Sequence, residues 1–236
     1  MTLPNPLAFV VTLAVATAWM GFNEALARRG WISPHTSRKL IHAGTGPLYV
    51  LTWLLYPDAS GRFWAVWAPL LLTLRIAAIG LGLIHAPAAV QAMSRSGRRE
   101  ELLRGPLFYG LAFIYFTLAH WREWEGILPL MLLCGGDGLA DLVGRRWGHR
   151  KLPWSPRKSW AGSLGFILGG SAAAALVLAV YTWAGAWTPT QAHTYARLIL
   201  PTALFGAVLE SAPWPEIDNL IVPAGTYAWL RWWLRG

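Results

Sequence analysis

Two carboxylates, Asp137 and Asp141, lie four residues apart inside an apolar segment of the chain. On an α-helix this spacing puts both on one face, about 6 Å apart along the axis. Like charges so placed repel each other unless a cation lies nearby, and Mg²⁺ typically binds one or two protein carboxylates together with substrate phosphates. The spacing therefore predicts a divalent-cation site. The alternative is that one aspartate caps a break at Gly135 and the other pairs with Arg145.

A strongly basic segment follows the two acids. It contains six cations within about two dozen residues: Arg145, Arg146, Arg150, Lys151, Arg157 and Lys158. Its end, KSWAGS, starts the next apolar run, and a helix N-terminus offers free N–H groups and a positive dipole end to phosphate. Lys158 supplies a mobile charge and Ser159 a helix cap, so we expect Gly162 and Ser163 to border a phosphate site. Alone, the segment would be an ordinary capped loop.

Polar groups elsewhere extend this predicted site. Arg38 and His42 in SRKLIHAGTG are four residues apart and can face one pocket, where His42 would act as a base or a phosphate donor. Glu210 ends an apolar run, and Asp218 and Asn219 follow it after two prolines. These groups would complete a metal shell or orient an acceptor hydroxyl. The alternatives are an interfacial anchor with a satisfied histidine, and a helix-terminal acid followed by a turn.

The composition indicates which elements position these residues. The 236-residue chain is 55% hydrophobic and 13% charged, whereas soluble domains carry about 25% charged residues. Several apolar runs approach the roughly 20 residues needed to span a bilayer. We predict an all-α, polytopic transmembrane helical bundle that forms a single integral membrane domain over residues 1–236. The single cysteine, Cys134, excludes an intramolecular disulfide.

Eight apolar runs predict about seven or eight membrane helices. They cover residues 5–26, 40–56, 63–84, 106–121, 126–143, 161–184, 196–211 and 217–234. The last run is short and amphipathic at its end, so it could span the membrane, re-enter it or lie in the interface. The net charge of +9 does not indicate nucleic-acid binding, because the basic residues cluster in short loops and no nucleic-acid motif is present.

The distribution of positive charge predicts the topology. Loops 27–39, 85–105 and 144–160 hold fourteen Lys and Arg, and the alternate loops hold two. This asymmetry places the basic loops in the cytoplasm. Asp137, His42, Ser163, Glu210 and Asp218 then approach the same cytoplasmic face. No signal or transit segment is evident, and we expect a bacterial cytoplasmic membrane.

The motifs resemble those of the phytol kinase and dolichol kinase family, integral membrane lipid kinases distantly related to phosphatidate cytidylyltransferases. GDGLADLVGRRWG followed by KLPWSPRKSWAGS carries the resemblance, and SRKLIHAGTG, ELLRGPLFYG and the ES…DNLIVP end look like the phytol kinase branch. The resemblance covers about residues 37 to 223. It implies a polytopic enzyme that phosphorylates an isoprenoid alcohol, with CTP or another pyrimidine nucleoside triphosphate and Mg²⁺.

The resemblance also implies roles for individual residues. Those that fall on the family's motif positions are Asp137, Asp141, Gly144, Gly148, Lys158, Ser159, Gly162, Asp218 and Asn219. The chain lacks the longer multi-span sequence of the dolichol branch. It also lacks the His-Gly-Gly and Asp-Arg elements of the cytidylyltransferases, which argues against phosphatidate as the substrate.

These observations predict a CTP-dependent kinase that converts a phytol-like alcohol to its monophosphate. Asp137, Asp141 and Glu210 are the predicted Mg²⁺ ligands, and Asp137, Asp141, Lys158, His42 and Asp218 the predicted catalytic residues. The residues expected to bind the nucleotide are Gly138, Gly144, Arg145, Arg146, Lys158, Ser159, Gly162, Ser163, Arg38 and Asn219. The expected partners are a nucleoside triphosphate, the alcohol, membrane lipids and a second copy of the chain. The alternatives are a phosphatidate or prenyl-phosphate cytidylyltransferase, and a transporter with an intramembrane acidic ion site.

Overall fold

The structure is a computed structural model that describes residues 2–94, 96–212 and 217–235. The predicted all-α fold is confirmed: helices make up nearly all of the regular structure. The α-helices are α1 (Asn5–Arg28), α2 (Pro34–Thr52), α3 (Gly61–Ala65), α4 (Trp67–Gly80), α5 (Pro87–Met93), α6 (Gly105–Ala119), α7 (Trp124–Met131), α8 (Asp137–Trp147), α9 (Trp160–Trp183), α10 (Pro189–Ser211) and α11 (Asp218–Arg235). Short 3₁₀ turns cover Trp53–Leu55 and Arg99–Leu103.

Five helical segments in the described part of the chain are long and apolar enough to cross a membrane. They are Asn5–Arg28, Gly61–Gly80, Arg99–Ala119, Trp124–Trp147 and Trp160–Trp183. These spans support a membrane protein, and they are fewer than the seven or eight predicted. Helices α2 and α10 fall outside this set because their first turns are polar, as in PHTSRKL and PTQAHTY.

The central element is the span Trp124–Trp147, which joins α7 to α8 through a π-helical turn at Leu132–Gly136. About 72% of its most apolar window is buried, the largest share among the five spans. Glycines allow α9 to pack directly against it: a Cβ on Gly169 would lie 2.2 Å from the carbonyl oxygen of Gly135. The π turn ends where Asp137 begins α8, and such turns often occur at functional sites.

Two helices begin earlier than their apolar runs suggest, because capping residues start them. The Ser33 side chain accepts a hydrogen bond from the Thr36 N–H, so α2 begins at Pro34 rather than residue 40. Thr188 and Gln191 form a capping box, so α10 begins at Pro189 rather than residue 196. The predicted run 63–84 is divided at Val66 into α3 and α4.

The basic segment between α8 and α9 contains a small antiparallel hairpin that the apolar pattern does not predict. Its strands are β1 (Lys151–Leu152) and β2 (Ser155–Ser159), and β2 continues directly into α9. The tip is fastened to the end of α10, where the Trp154 indole N–H donates to the Ser211 hydroxyl at 3.1 Å. The hairpin therefore holds the basic segment over the last turn of α10.

The bundle has two contrasting ends. The aromatic end comprises Trp53, Tyr56, Trp121, Trp124, Tyr181, Trp187 and Tyr195, whose rings contact one another. The polar end comprises His35, Lys39, His42, Asp137, Asp141, Lys158, Glu210, Asp218 and Asn219. The polar end is formed by α8 and by four helix termini. These are the first turns of α2, α9 and α11 and the last turn of α10.

Candidate active site

A small cavity lies within the polar end. Its volume is about 10 Å³, and it is lined by Leu133, Asp137, Phe166, Glu210, Asp218, Asn219 and Val222. Four of these residues are polar and three are apolar. The structure therefore brings Asp137 of α8 together with Glu210 of α10 and with Asp218 and Asn219 of α11, and adds apolar lining residues that the sequence did not indicate.

Asp137 is held on its α2 side by two basic residues. Its Oδ2 accepts a hydrogen bond from the Lys39 Nζ at 3.0 Å and lies 3.3 Å from the His42 Nε2. The Asp137 side chain keeps 24% of its surface exposed, and it contributes to the cavity wall. One carboxylate thus contacts α2 and also borders the cavity.

Asp141 has a different environment, which corrects the prediction that both aspartates share one site. It lies one turn further along α8, and its Oδ2 is 2.8 Å from the His35 Nε2. Its Oδ1 is 3.2 Å from the Arg145 Nε, which is the pairing considered as the alternative. Asp141 does not line the cavity. The i,i+4 spacing puts both carboxylates on the α2-facing side of α8, but the cavity lies beside only the first of them.

Lys158 and Glu210 form an ion pair between β2 and the end of α10. The Glu210 side chain is only 6% exposed, and it borders the cavity. Burial alone would lower the pKa of Lys158, but the neighbouring Glu210 carboxylate outweighs that effect and raises it. Lys158 is therefore held as a cation beside the cavity.

Asp218 and Asn219 begin α11 at the cavity, as the sequence suggested. The Asn219 side-chain amide donates to the carbonyl oxygen of Gly105 at 2.9 Å, which joins the first turn of α11 to the first turn of α6. Gly105 belongs to the ELLRGPLFYG segment, for which the sequence offered no more than a supporting role. Asn219 thus fastens α11 in the position that brings Asp218 to the cavity wall.

Two N–H groups at the N-terminus of α9 are already hydrogen-bonded, whereas the sequence suggested that this end offers free N–H groups to phosphate. The Gly162 N–H donates to the Ser159 hydroxyl at 3.1 Å, and the Trp160 N–H donates to the Arg150 carbonyl at 3.2 Å. A Cβ on Gly144 or Gly162 would approach the other glycine's backbone, at 3.5 and 3.6 Å. These glycines therefore serve the close crossing of α8 and α9.

The remaining predicted nucleotide contacts are not brought to the cavity. The Arg38 guanidinium donates to the Ser94 carbonyl at 3.1 Å, and the Arg146 guanidinium lies 5.2 Å from the centre of the Trp147 ring. Gly138 faces α2, where an added Cβ would lie 2.6 Å from the Ala43 Cβ. Arg145 is exposed beside Asp141, and Ser163 lies in the first turn of α9.

The predicted metal ligands do not form one compact set. In the part of the chain that the structure describes, one group of three His or carboxylate residues has ligand atoms within 4.8 Å of one another: His120, Glu123 and Glu125. Asp137, Asp141 and Glu210 do not form such a group, because Asp141 is turned toward His35 and Glu210 is held by Lys158. The cavity instead collects carboxylates from Asp137, Glu210 and Asp218.

His35 and Lys39 are partners of the two aspartates for which the sequence predicted no role. Their signal is a helical one: with His42 they occupy positions i, i+4 and i+7 of α2, which share a face. The early start of α2 makes this stripe visible only after the Ser33 cap is recognised. The apolar lining residues Leu133, Phe166 and Val222 have no comparable signal, because each has apolar neighbours on both sides in the sequence.

Comparison with known proteins identifies the family of the chain. The model of the cytidylyltransferase family matches residues 1–212. A probable chloroplastic phytol kinase of Triticum aestivum is 37% identical over 207 residues, covering 86% of this chain and 69% of the relative. Phytol kinase 1, chloroplastic, of Arabidopsis thaliana is 36% identical over 223 residues, covering 93% and 73%. A chloroplastic farnesol kinase of Arabidopsis thaliana is 35% identical over 208 residues, covering 87% and 67%.

No solved structure matches the chain. The names of these relatives place them in chloroplasts, which is at odds with the bacterial membrane expected from the sequence. The family model covers most of the chain, and the relatives are similar over about two thirds or more of their own length. The chain therefore belongs to the cytidylyltransferase family and, within it, to the phytol kinases.

Proposed function

We propose that this protein phosphorylates the hydroxyl group of an isoprenoid alcohol at the cavity of the polar end. The family is one of alcohol kinases, and the relatives are named for phytol and farnesol. The observation that carries the proposal is the mixed lining of the cavity. Leu133, Phe166 and Val222 suit a hydrocarbon, and the acidic and amide side chains that line the same cavity suit a hydroxyl and phosphates. At about 10 Å³ the cavity has to open for these ligands to enter.

In the proposed reaction the alcohol oxygen attacks the terminal phosphorus of a nucleoside triphosphate. A new O–P bond forms, the bond to the bridging oxygen breaks, and the nucleoside diphosphate leaves with that electron pair. The hydroxyl proton passes to a carboxylate, and we propose Asp218 for this role. Asp218 lines the cavity together with its apolar residues, whereas His42 does not line it.

The donor set of the cavity fits Mg²⁺, which prefers carboxylate and other oxygen ligands. We propose Asp137 and Glu210 as its protein ligands, in place of the set that included Asp141, and this leaves Asp218 as the base. When bound, Mg²⁺ would neutralise the phosphate charge that builds up during transfer. His42 and Lys39 act through Asp137, because both contact its Oδ2 and hold the carboxylate at the cavity edge.

We propose CTP as the donor, and Lys158 as the residue that binds its phosphates. Lys158 lies on the hairpin at the mouth of the polar end and is paired with Glu210. Phosphate oxygens would replace this carboxylate as its partner. The exposed cations of the hairpin and of the end of α8, including Arg145, would attract the polyphosphate from solution.

We further propose that the whole chain acts as one integral membrane domain. In this arrangement α2, α10 and α11 cross the bilayer beside the five apolar spans, and the basic loops share the cytoplasmic face. The isoprenoid tail enters between helices from the surrounding lipid. A homodimer stays a prediction.

Cytidylyl transfer is the second candidate, because the matching family model is that of the cytidylyltransferases. It would use the same acidic cavity, but would transfer the nucleotide to a lipid phosphate and release pyrophosphate. Phosphoryl transfer releases a nucleoside diphosphate instead. A transporter would release neither pyrophosphate nor a nucleoside diphosphate.

The released product separates these functions. Purified protein would be incubated in detergent or nanodiscs with Mg²⁺ and each of the four nucleoside triphosphates, labelled in turn at the α- or γ-position. The acceptors would be phytol, geranylgeraniol or farnesol and, in parallel reactions, phosphatidate or a prenyl phosphate. We expect γ-label in the alcohol monophosphate and α-label in the nucleoside diphosphate. Label from the α-position in a lipid product would favour the cytidylyltransferase, and no transfer to any alcohol would refute the kinase.

A further inference from the structure

Tyr109, on α6, contacts both elements that carry the Asp137–His42 pair. Its ring lies against the His42 imidazole, with ring centroids 4.3 Å apart and planes inclined by 37°. Its hydroxyl donates to the backbone carbonyl of His42 at 3.1 Å and lies 3.2 Å from the Cys134 Sγ. One phenol group therefore touches α2 and the π turn that precedes Asp137.

The hydrogen-bonding capacities of these groups are compatible. The tyrosine hydroxyl has one hydrogen, which goes to the His42 carbonyl, and its oxygen can accept the weak S–H donor of Cys134. Cys134 is fully buried and lies three residues before Asp137 on the central span. A Cβ on Gly46 would lie 2.2 Å from its sulfur, so α2 approaches the π turn as closely as a glycine permits.

Both segments that Tyr109 joins depart from regular α-helix at this point. Pro47 lies inside α2 and has no N–H to donate to the carbonyl one turn before it. Leu132–Gly136 has π-helical rather than α-helical hydrogen bonding. Regular α-helical hydrogen bonding is therefore interrupted near both His42 and Asp137. A side chain that contacts both segments limits their movement relative to each other.

We propose that Tyr109 is a positioning residue, which holds His42 against Asp137 and so fixes the Asp137 carboxylate at the cavity edge. This inference rests on the proposed function, and it gives the ELLRGPLFYG segment a role in the site. The segment supplies the Gly105 carbonyl to Asn219 and the Tyr109 side chain to His42. It therefore contacts both the start of α11 and the middle of α2.

The first test is Tyr109→Phe, which removes the hydroxyl and keeps the ring. We expect kcat to fall by about three- to tenfold, the effect of losing one buried hydrogen bond, with KM for the alcohol changed less than twofold. Tyr115→Phe is the matched control, because Tyr115 is on the same helix, half exposed, and packs against Phe116 and Tyr227. Equal kinetics for Tyr109→Phe and wild type would overturn the proposal.

A double-mutant cycle distinguishes positioning through His42 from a general structural role. In a His42→Gln background, Tyr109→Phe should cause less than a twofold further loss, because the group it positions is gone. A loss of the same size in both backgrounds would overturn the proposal. If Tyr109→Phe is not recovered folded, Cys134→Ala takes its place in the same cycle with the same two outcomes.

A spectroscopic measurement needs no activity. With labelled histidine, the His42 Cε1–H resonance is assigned by its absence in His42→Gln. It should shift in Tyr109→Leu, which removes the ring, and remain in place in Tyr115→Leu. An unshifted resonance would contradict the contact. Wild-type protein without transfer activity would refute the proposed function instead, so the two failures are distinguishable.

Discussion

The two ends of the bundle bury polar atoms in different ways. At the aromatic end, two donors bond to the backbone: the Tyr181 hydroxyl donates to the Val50 carbonyl at 2.8 Å, and the Arg122 Nε to the Trp53 carbonyl at 3.0 Å. At the polar end, charged side chains bond to one another, as in the pairs Lys39–Asp137 and Lys158–Glu210.

This difference suggests that the aromatic end contributes mainly to stability and the polar end mainly to function. Backbone carbonyls at the aromatic end gain partners, and the surrounding rings bury a large apolar surface. Ion pairs removed from water add little net stability, because the loss of hydration offsets their attraction. Partly buried charges in an apolar bundle are therefore better explained by a ligand than by folding. Substitutions at the two ends should accordingly affect different measured quantities.

The largest effect is expected at the aromatic end. Trp124 is 1% exposed and contacts Trp187 and Tyr195. Trp124→Ala should lower the free energy of unfolding by about 3–5 kcal/mol, the usual cost of removing a buried tryptophan. Thermal unfolding in detergent checks this. Trp183→Ala, at a site 88% exposed, is the control and should change little. If the folded fraction of Trp124→Ala lost its turnover, the aromatic end would contribute to activity as well as to stability, which would contradict the distinction between the two ends.

The next effect concerns the two aspartates of α8. Asp137→Asn should lower kcat/KM by about 100- to 1000-fold without loss of fold, because it removes the charge at the cavity. Asp141→Asn is the matched control one helical turn away and should lose less than about tenfold, since its partners are His35 and Arg145. Steady-state kinetics measure both. Equal losses of kcat/KM in the two variants would instead support the shared metal site that the sequence predicted.

A smaller effect is expected from the hairpin lysine. Lys158→Gln should raise KM for the nucleotide by about 10- to 100-fold, the equivalent of losing a charged hydrogen bond to phosphate. KM for the alcohol should be unchanged. Arg157→Gln, on the same strand but exposed, is the control. An unchanged nucleotide KM in Lys158→Gln would leave Lys158 with no role beyond its pairing with Glu210.

The smallest effect tests the packing beneath the site. A Cβ on Gly138 would lie 2.6 Å from the Ala43 Cβ, whereas nothing lies within 4 Å of one on Gly21. Gly138→Ala should cost about 1–3 kcal/mol by separating α8 from α2. Gly21→Ala should be neutral or stabilise by up to about 1 kcal/mol. Chemical or thermal unfolding compares them, and similar values would contradict the close approach of these helices.

The sequence predicted the parts of this structure that depend on local patterns. The length of the apolar runs predicted the helices. The distribution of positive charge predicted that Asp137, Glu210 and Asp218 lie at the same end of the bundle, and in the structure all three line one cavity. The early starts of α2 and α10 required their caps, which a hydropathy pattern does not contain. The sequence also did not show that Asp141 lies outside the cavity lining, and the reason is a different one. The spacing of residues along a helix determines which face each one occupies. It does not determine where along that face a cavity forms, because this depends on how the neighbouring helices pack.

The occupied N-terminus of α9 has a similar explanation. The sequence KSWAGS predicted a cap at Ser159, and the structure has one. The hairpin was not predictable from apolar periodicity, and it supplies the Arg150 carbonyl that accepts from the Trp160 N–H. These bonds leave fewer N–H groups free at the helix end, which is why Lys158 is the phosphate contact that we propose.

The most direct test of the central claim is to locate the alcohol on the protein. A farnesol analogue with a photoreactive diazirine near the hydroxyl would be cross-linked in nanodiscs, and the labelled peptides identified by mass spectrometry. The cavity site predicts label at Leu133, Phe166 or Val222, and its loss when unmodified farnesol is added in excess. Label confined to the aromatic end, or label that excess farnesol does not reduce, would contradict it.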